Sequence, residues 1–133
     1  MTVVPTPSRL IGLAALAAAT GAAAALCAGA ALAQPAPPAD FAICSACHES
    51  TPKAAPSVGP NLFGVGGRKA GTAPDVDYSD ALKNSGITWS ADTLAAFILD
   101  PAKAVPGNKM DYGGATDAKA AKALADYLMS LKG

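Results

Sequence analysis

Two of the three cysteines in this 133-residue chain stand three positions apart, and the only histidine follows them directly. The stretch reads CSACH and comprises Cys44, Cys47 and His48. Three kinds of site use such a pattern: a structural zinc site, a dithiol redox pair and a haem attachment point. Each needs a different surrounding fold, so this stretch constrains the rest of the chain more than any other.

The first third of the chain has the composition of a targeting segment. Residues 10–32 are almost entirely Ala, Leu and Gly, with Arg9 before them and an Ala-Leu-Ala exit at their end. A positive residue, an apolar run and a small-x-small exit predict a cleaved signal peptide over residues 1–33. The run is also long enough to span a bilayer, so an uncleaved anchor is the alternative. Cys27 follows the large Leu26, unlike a lipoprotein cysteine, and would be lost with the leader.

Cleavage would leave 133 minus 33, or 100, residues, enough for one small domain. Losing Arg9 leaves nine basic side chains against ten acidic ones, a balance that favours neither nucleic acid nor an anionic membrane as partner. All seven aromatic residues lie in this part and make only a modest core. A domain this small therefore needs something else to fill its centre.

The pattern after the leader predicts an all-α domain over 40–133, preceded by a flexible proline-rich lead-in over 34–39. Asp40 and Ser90 are candidate helix caps, Phe41 is the apolar anchor of the first helix, and Pro101 ends the third. No stretch alternates with the period of two that is typical of strands. We expect helices over four ranges, separated by long loops: 40–47, 77–84, 90–100 and 116–131.

The sequence disfavours two of the three kinds of site. Structural zinc takes about four soft ligands, and after leader removal only two cysteines and one histidine remain. A dithiol redox pair normally opens a helix in a βαβ unit, and no strand pattern is present.

Haem attachment fits the spacing for a mechanical reason. Side chains three residues apart on a helical turn point the same way, about 5–6 Å apart, so Cys44 and Cys47 can each form a thioether to one haem vinyl group. His48 then lies beneath the iron as an axial ligand, as the C-x-x-C-H signature requires. Secretion provides the compartment in which such attachment happens.

Beyond CSACH, the chain resembles the class I c-type cytochrome family, close to the mitochondrial type and its small soluble bacterial relatives. The shared motifs stand in the family's order: GPNLFGVGGRKAGTAP at 59–74, Tyr78, GITW at 86–89 and DPAKAVPGNKM at 100–110. The resemblance covers residues 41–133. It implies a small cytochrome c fold, with three to five helices and long loops wrapped round one covalently bound haem c.

The resemblance also implies roles for single residues. Met110 matches the sixth ligand of the iron, and Pro60 matches the carbonyl that fixes the tautomer of His48. Without the resemblance, the Pro/Gly loop around Met110 indicates only a flexible apolar side chain that fills a gap in the packing. The position of Met129 in the last predicted helix indicates a core residue. Three residues match the groups that bind the haem propionates: Arg68, Tyr78 and Trp89. Phe97 and Leu82 stand where the family often has a tyrosine and an asparagine.

The function that this resemblance implies is a periplasmic, monohaem, monomeric one-electron carrier between respiratory or photosynthetic redox proteins. His48 and Met110 would ligate the iron, and a six-coordinate iron implies that the chain is not an enzyme. It would meet the membrane only through its partners, unless the leader is kept. A membrane-tethered subunit of a larger oxidoreductase is the alternative, and an enzyme or gas sensor with an open iron site is a further rival that Met110 disfavours.

Few basic residues are available for docking. The resemblance places only Lys103 and Lys109 beside the haem edge, where Asp100 and Asp111 flank them. Charge is therefore expected to steer partners weakly. A small apolar surface around Ala104, Val105 and Pro106 is expected to contribute more.

Overall fold

The computed structural model describes residues 34–132, so the predicted leader and Gly133 lie outside the described residues. These described residues form five helices: α1 Phe41–Ser45, α2 Asp80–Lys83, α3 Ala91–Leu99, α4 Pro101–Ala104 and α5 Ala118–Ser130. The described part holds no strand and a single isolated antiparallel bridge between Lys69 and Thr88. The predicted all-α class is confirmed. Within residues 34–132, no helix has the length and apolar character needed to cross a membrane.

The core lies where α3 packs against α5. Buried side chains recur at i, i+3 and i+4 on both helices, which gives each helix one apolar face. The ring of Phe41 on α1 meets the ring of Tyr127 on α5 edge-on, with centroids 4.7 Å apart, and so joins the first helix to the last. The buried side chains are Leu94, Phe97 and Ile98 on α3, and Ala121, Leu124, Ala125 and Leu128 on α5.

Capping side chains fix where the longer helices begin. Ser90 Oγ accepts from the Thr93 N–H while the Thr93 hydroxyl accepts from the Ser90 N–H, so the predicted Ser90 cap forms a complete capping box. Asp117 caps α5 by accepting from the Ala120 N–H at 2.8 Å. The predicted Asp40 cap is wrong. Its backbone is already helical, at φ −67° and ψ −12°, and its side chain makes no capping hydrogen bond, whereas a cap residue is normally extended.

Predicted boundaries differ from the structure at several helix ends. The first helix ends at Ser45 rather than Cys47, and the last begins at Ala118 rather than Thr116. The second helix begins at Asp80 rather than Asp77, because the hydroxyl of Ser79 accepts from the Leu82 N–H and caps it there. Pro101 follows the end of α3 as predicted, but it also begins α4, a short helix that the sequence pattern did not indicate. Proline suits a first helical position because its missing N–H has no intrahelical partner there.

Hydrogen bonds from one side chain hold much of the segment between α1 and α2. The Asn61 amide donates to the carbonyls of Thr51 and Ala54 at 2.8 and 2.9 Å. Its oxygen accepts from the Phe63 N–H at 2.8 Å. A single asparagine therefore ties three points of a segment that has no regular structure.

A short ladder of backbone hydrogen bonds joins residues 67–70 to residues 87–89. The Trp89 N–H donates to the Arg68 carbonyl at 2.9 Å, and the Gly67 N–H donates back to the Trp89 carbonyl at 2.7 Å. The Ala70 N–H adds a bond to the Ile87 carbonyl at 2.8 Å. This ladder brings Arg68 and Trp89 together although they are 21 positions apart in the sequence.

Candidate functional site

A cavity of about 320 Å³ lies beside the α3–α5 core. Its walls are mostly apolar, and several side chains of the core form them. All eight residues singled out from the sequence line it: Cys44, Cys47, His48, Pro60, Arg68, Tyr78, Trp89 and Met110. A concave apolar space with a few convergent polar groups is the usual form of a cofactor site.

Cys44, Cys47 and His48 reach this cavity from one turn at the end of α1. The N–H groups of Cys47 and His48 both donate to the Cys44 carbonyl, at 3.1 and 3.0 Å. Neither cysteine is in a disulfide. Burial raises the pKa of the Cys44 thiol, which keeps it protonated near neutral pH, while Cys47 is exposed. The turn therefore presents two free thiols and an imidazole to the same space.

The His48 ring is fixed by its neighbours. Its Nδ1 lies 2.8 Å from the carbonyl oxygen of Pro60, and a carbonyl can only accept, so Nδ1 donates. In the neutral ring, Nε2 then carries the lone pair that a metal needs.

Gly59 packs against the face of the same ring. A Cβ at this position would lie 2.7 Å from Nδ1 and closer still to Cε1. The ring can keep its place only because residue 59 has no side chain. Sequence reasoning noted Gly59 only as part of a shared motif and did not identify this requirement.

We expect Gly59→Ala to destabilise the haem-loaded protein by about 1–3 kcal/mol, the usual cost of forcing extra volume into a packed site. The added methyl group must push the His48 ring away from the Pro60 carbonyl. Guanidinium unfolding of the loaded protein measures the loss.

Gly113→Ala is the matched control for this substitution. No atom lies within 4 Å of a Cβ at Gly113, and its backbone is not in the left-handed region. Its effect is expected to stay within about 0.5 kcal/mol, as for ordinary surface substitutions. Equal losses in the two variants would show that Gly59 does not position the ring.

The ligands present fit a haem better than a bare metal ion. Within residues 34–132, no group of three or more His, Cys, Asp or Glu side chains could hold a metal ion. Structural zinc therefore lacks its ligand set in the described chain. Two thiols, an oriented imidazole and a thioether around an apolar cavity are the groups that a covalently bound haem requires.

Met110 is held in place by the residues before it. Its N–H donates to the Asn108 side-chain oxygen at 2.9 Å, and the Asn108 amide donates to the carbonyls of Pro101 and Val105 at 2.8 and 2.9 Å. These bonds tie the loop after α4 back to that helix. Sequence reasoning missed Asn108, although asparagine after a Pro-Gly pair is a signal for a side chain that bonds to its own turn.

Met129 does not reach the cavity. It lies on α5 against Gly66. A Cβ added to that glycine would lie 2.9 Å from the Met129 sulfur. Its partly buried side chain packs against the core cluster, in agreement with the core role predicted for it. Of the methionines in the described residues, Met110 is the one that lines the cavity.

Three of the residues that line the cavity carry hydrogen-bond donors. Arg68 donates to the Asn61 carbonyl at 2.8 Å and keeps further N–H groups. Partial burial raises the pKa of Tyr78, so its hydroxyl keeps its proton near neutral pH. Partial burial lowers the pKa of Arg68, but a guanidinium is not deprotonated in proteins. Trp89 is buried, and the centroid of its ring lies 5.2 Å from that of Phe97. Such donors suit the carboxylates of a cofactor.

The expected surroundings of the lysines need correction. Lys109 lines the cavity, but its ammonium pairs with Asp77, which lowers the pKa of that carboxyl. Lys103 lies on α4, outside the residues that line the cavity. Val105 is only 4 % exposed because it packs into the core, so it cannot contribute to a docking surface as predicted.

No protein-family model matches the chain. It is 44% identical to cytochrome c2 iso-2 of Magnetospirillum molischianum over 95 residues, 71% of this chain and 97% of that protein. It is 51% identical to cytochrome c2 of Rhodoblastus acidophilus over 74 residues, 56% of this chain and 69% of that protein. Among solved structures, it is similar to cytochrome cH from Methylobacterium extorquens, with a TM-score of 0.61 and 45% identity over 66% of this chain and 88% of that one.

Proposed function

The chain belongs to the class I c-type cytochromes, and we propose that it is a periplasmic electron carrier whose haem iron is ligated by His48 and Met110. Members of the family carry covalently bound haem c and transfer electrons rather than catalyse reactions. The monohaem carrier role and the absence of enzyme activity follow from this membership. The location, the two ligands and the partners are our proposals.

Covalent attachment through Cys44 and Cys47 is supported by their place on one turn at the cavity wall. Each thiol would add its S–H across one vinyl group, so that a C–S bond forms and the hydrogen goes to the neighbouring carbon. No oxidant is needed, because the addition leaves the electron count of the pair unchanged. The free state of both thiols is what this step requires.

The protein's side chains set what the bound group can do. When bound, the haem iron supplies a reversible one-electron change. His48, oriented by Pro60, would offer its Nε2 to the iron, and the soft thioether of Met110 would favour reduced iron. With both side chains holding the iron, the chain would leave no position on it for a substrate. Arg68, Tyr78 and Trp89 would hold the propionates.

The observation that carries the proposal is that all eight predicted residues line one cavity. Co-expression with a haem attachment system is expected to give a protein whose mass exceeds the apo chain by one haem. Its colour should stay on the polypeptide after acid–acetone extraction. Redox titration should then fit a single one-electron couple. Haem that extracts, or zinc in its place, would contradict the proposal.

The same mass measurement decides between the periplasmic carrier and the tethered subunit. A mass of residues 34–133 plus one haem, in the periplasmic fraction, supports a cleaved leader and a diffusible carrier. A mass that includes residues 1–33, in the membrane fraction, supports the tethered alternative. Redox proteins are the proposed partners in either case.

A further inference from the structure

Two asparagine side chains in the described residues make the same set of hydrogen bonds. In both, the side-chain oxygen accepts from the N–H two residues ahead, and the amide donates to two backbone carbonyls. The three distances are 2.8, 2.8 and 2.9 Å for Asn61, and 2.9, 2.8 and 2.9 Å for Asn108. Asn108 holds the N–H of Met110, which lines the cavity. The matching bonds of Asn61 indicate that it holds another part of the site.

Asn61 does not itself line the cavity, but the backbone beside it holds two residues that do. The carbonyl of Pro60, the residue before it, accepts from His48 Nδ1 at 2.8 Å. The carbonyl of Asn61 accepts from Arg68 Nη2 at 2.8 Å. Two consecutive carbonyls therefore orient the imidazole and the guanidinium of the site.

The side chain of Asn61 fixes where these two carbonyls lie. They belong to a segment without helix or strand, whose ends are held by the N–H groups of Gly59 and Leu62. These two groups donate to the backbone of residues 47–49 at 2.8 and 2.7 Å. Pro60 has no N–H with which to add a bond between the two ends. The Asn61 amide supplies that bond by reaching back 10 and 7 positions to two loop carbonyls.

We propose that Asn61 is a positioning residue for one side of the haem: its side chain holds the carbonyls that orient His48 and Arg68. This inference rests on the proposed ligation of the iron by His48. A firm hydrogen bond from Nδ1–H to a carbonyl makes an imidazole a more basic ligand, which favours oxidised iron. Loss of the Asn61 side chain is therefore expected to loosen the Pro60 carbonyl and to raise the reduction potential. Asn108 serves the opposite ligand in the same way.

The first test compares Asn61→Ala with the wild type by proton NMR of the haem-loaded ferrous protein. Exchange of the His48 Nδ1–H with solvent is expected to be about tenfold faster in the variant, the effect of losing one hydrogen bond. The Arg68 Nη–H protons should exchange faster as well. The reduction potential should rise by the equivalent of about a threefold change in the equilibrium constant, which is about 30 mV at about 59 mV per tenfold change for one electron. Unchanged exchange at His48 would overturn the proposal.

A crossed comparison with Asn108→Ala separates positioning from general stability. The bonds of Asn108 share no partner with those of Asn61, so Asn108→Ala should leave the exchange of the His48 Nδ1–H within about twofold of the wild type. In guanidinium, Asn108→Ala should lose the near-infrared band of sulfur-to-iron charge transfer before it loses its helix signal. Asn61→Ala should lose both signals together, as the wild type does. If each variant changed both readouts equally, the asparagines would only stabilise the fold and the proposal would be wrong.

Thr72→Val is the matched control for a side-chain bond lost from a loop. The Thr72 hydroxyl donates to the Lys69 carbonyl at 2.7 Å, and neither residue lines the cavity. The exchange rate and the potential should keep their wild-type values in this variant, and changes as large as those in Asn61→Ala would overturn the proposal. Should Asn61→Ala fail to mature, Asn61→Asp keeps the acceptor for the Phe63 N–H but removes both amide donors. It is expected to speed the exchange about threefold, and an unchanged rate would count against the proposal.

Failure of the proposed ligation has a different signature. The ring protons of an axial histidine lie over the haem and are shifted upfield by its ring current. A loaded wild-type protein without that shift would contradict His48 as a ligand, and this inference with it. A normally ligated wild type whose His48 Nδ1–H exchanges no more slowly than that of Asn61→Ala would contradict the role of Asn61 alone.

Discussion

Without its haem, the chain of residues 34–133 is expected to be unfolded at room temperature. Six of the thirteen buried core side chains in the described residues also line the cavity: Val65, Trp89, Leu94, Phe97, Ile98 and Leu128. Without the haem, these side chains would face a water-filled space of about 320 Å³ instead of packed atoms. The core that remains is small, and an ordinary domain is stable by only about 5–15 kcal/mol, so the missing contacts are expected to unfold the chain.

Far-ultraviolet circular dichroism and a thermal scan measure this expectation. The chain produced without a haem attachment system should show little helix and no cooperative transition, while the loaded protein shows both. A Cys44→Ser/Cys47→Ser chain is the control for thiol chemistry and should behave like the unattached wild type. A cooperative melt of the haem-free chain would mean that the polypeptide core alone suffices.

The two long helices could be predicted because their buried side chains repeat within the helix itself. Leu94, Phe97 and Ile98 show the i, i+3, i+4 spacing directly in the sequence. The caps were less predictable, since a cap depends on the backbone conformation of one residue. Asp40 and Asp117 are the same residue type, yet only Asp117 is extended and caps a helix. The sequence pattern does not distinguish them.

In the site, too, contacts between residues close in sequence were predictable, and contacts between distant residues were not. Cys44, Cys47 and His48 lie within five positions, so their shared turn follows from spacing alone. The pair of Lys109 and Asp77 joins residues 32 positions apart. Counting charges along the chain therefore identified Asp111 as the neighbour of Lys109 and missed Asp77.

The requirement for glycine at position 59 was equally hidden. It depends on a ring that arrives from the turn at His48, eleven positions earlier in the chain. A glycine before a proline is an ordinary turn signal, so the residues alone gave no reason to expect a contact with an imidazole. Only the folded chain shows that a side chain there would displace the ring.

Replacing Met110 by Ala is expected to open the iron. The ferric protein should lose the weak near-infrared band of sulfur-to-iron charge transfer, and the ferrous protein should bind carbon monoxide. Loss of the thioether removes the ligand that favours reduced iron, so the reduction potential should fall by on the order of 100 mV, within the roughly 0.8 V range that axial ligands set. Absorption spectroscopy and redox titration measure these changes.

Met129 provides the control, because it is the other methionine of the described chain and lies on α5 against Gly66. Met129→Leu conserves volume and should leave the band and the potential unchanged. Asn108→Ala keeps the sulfur but removes the amide that ties its loop to Pro101 and Val105. The band should therefore persist in that variant but disappear at a lower denaturant concentration than in the wild type. If Met129→Leu lost the band while Met110→Ala kept it, the assignment of Met110 as the ligand would be wrong.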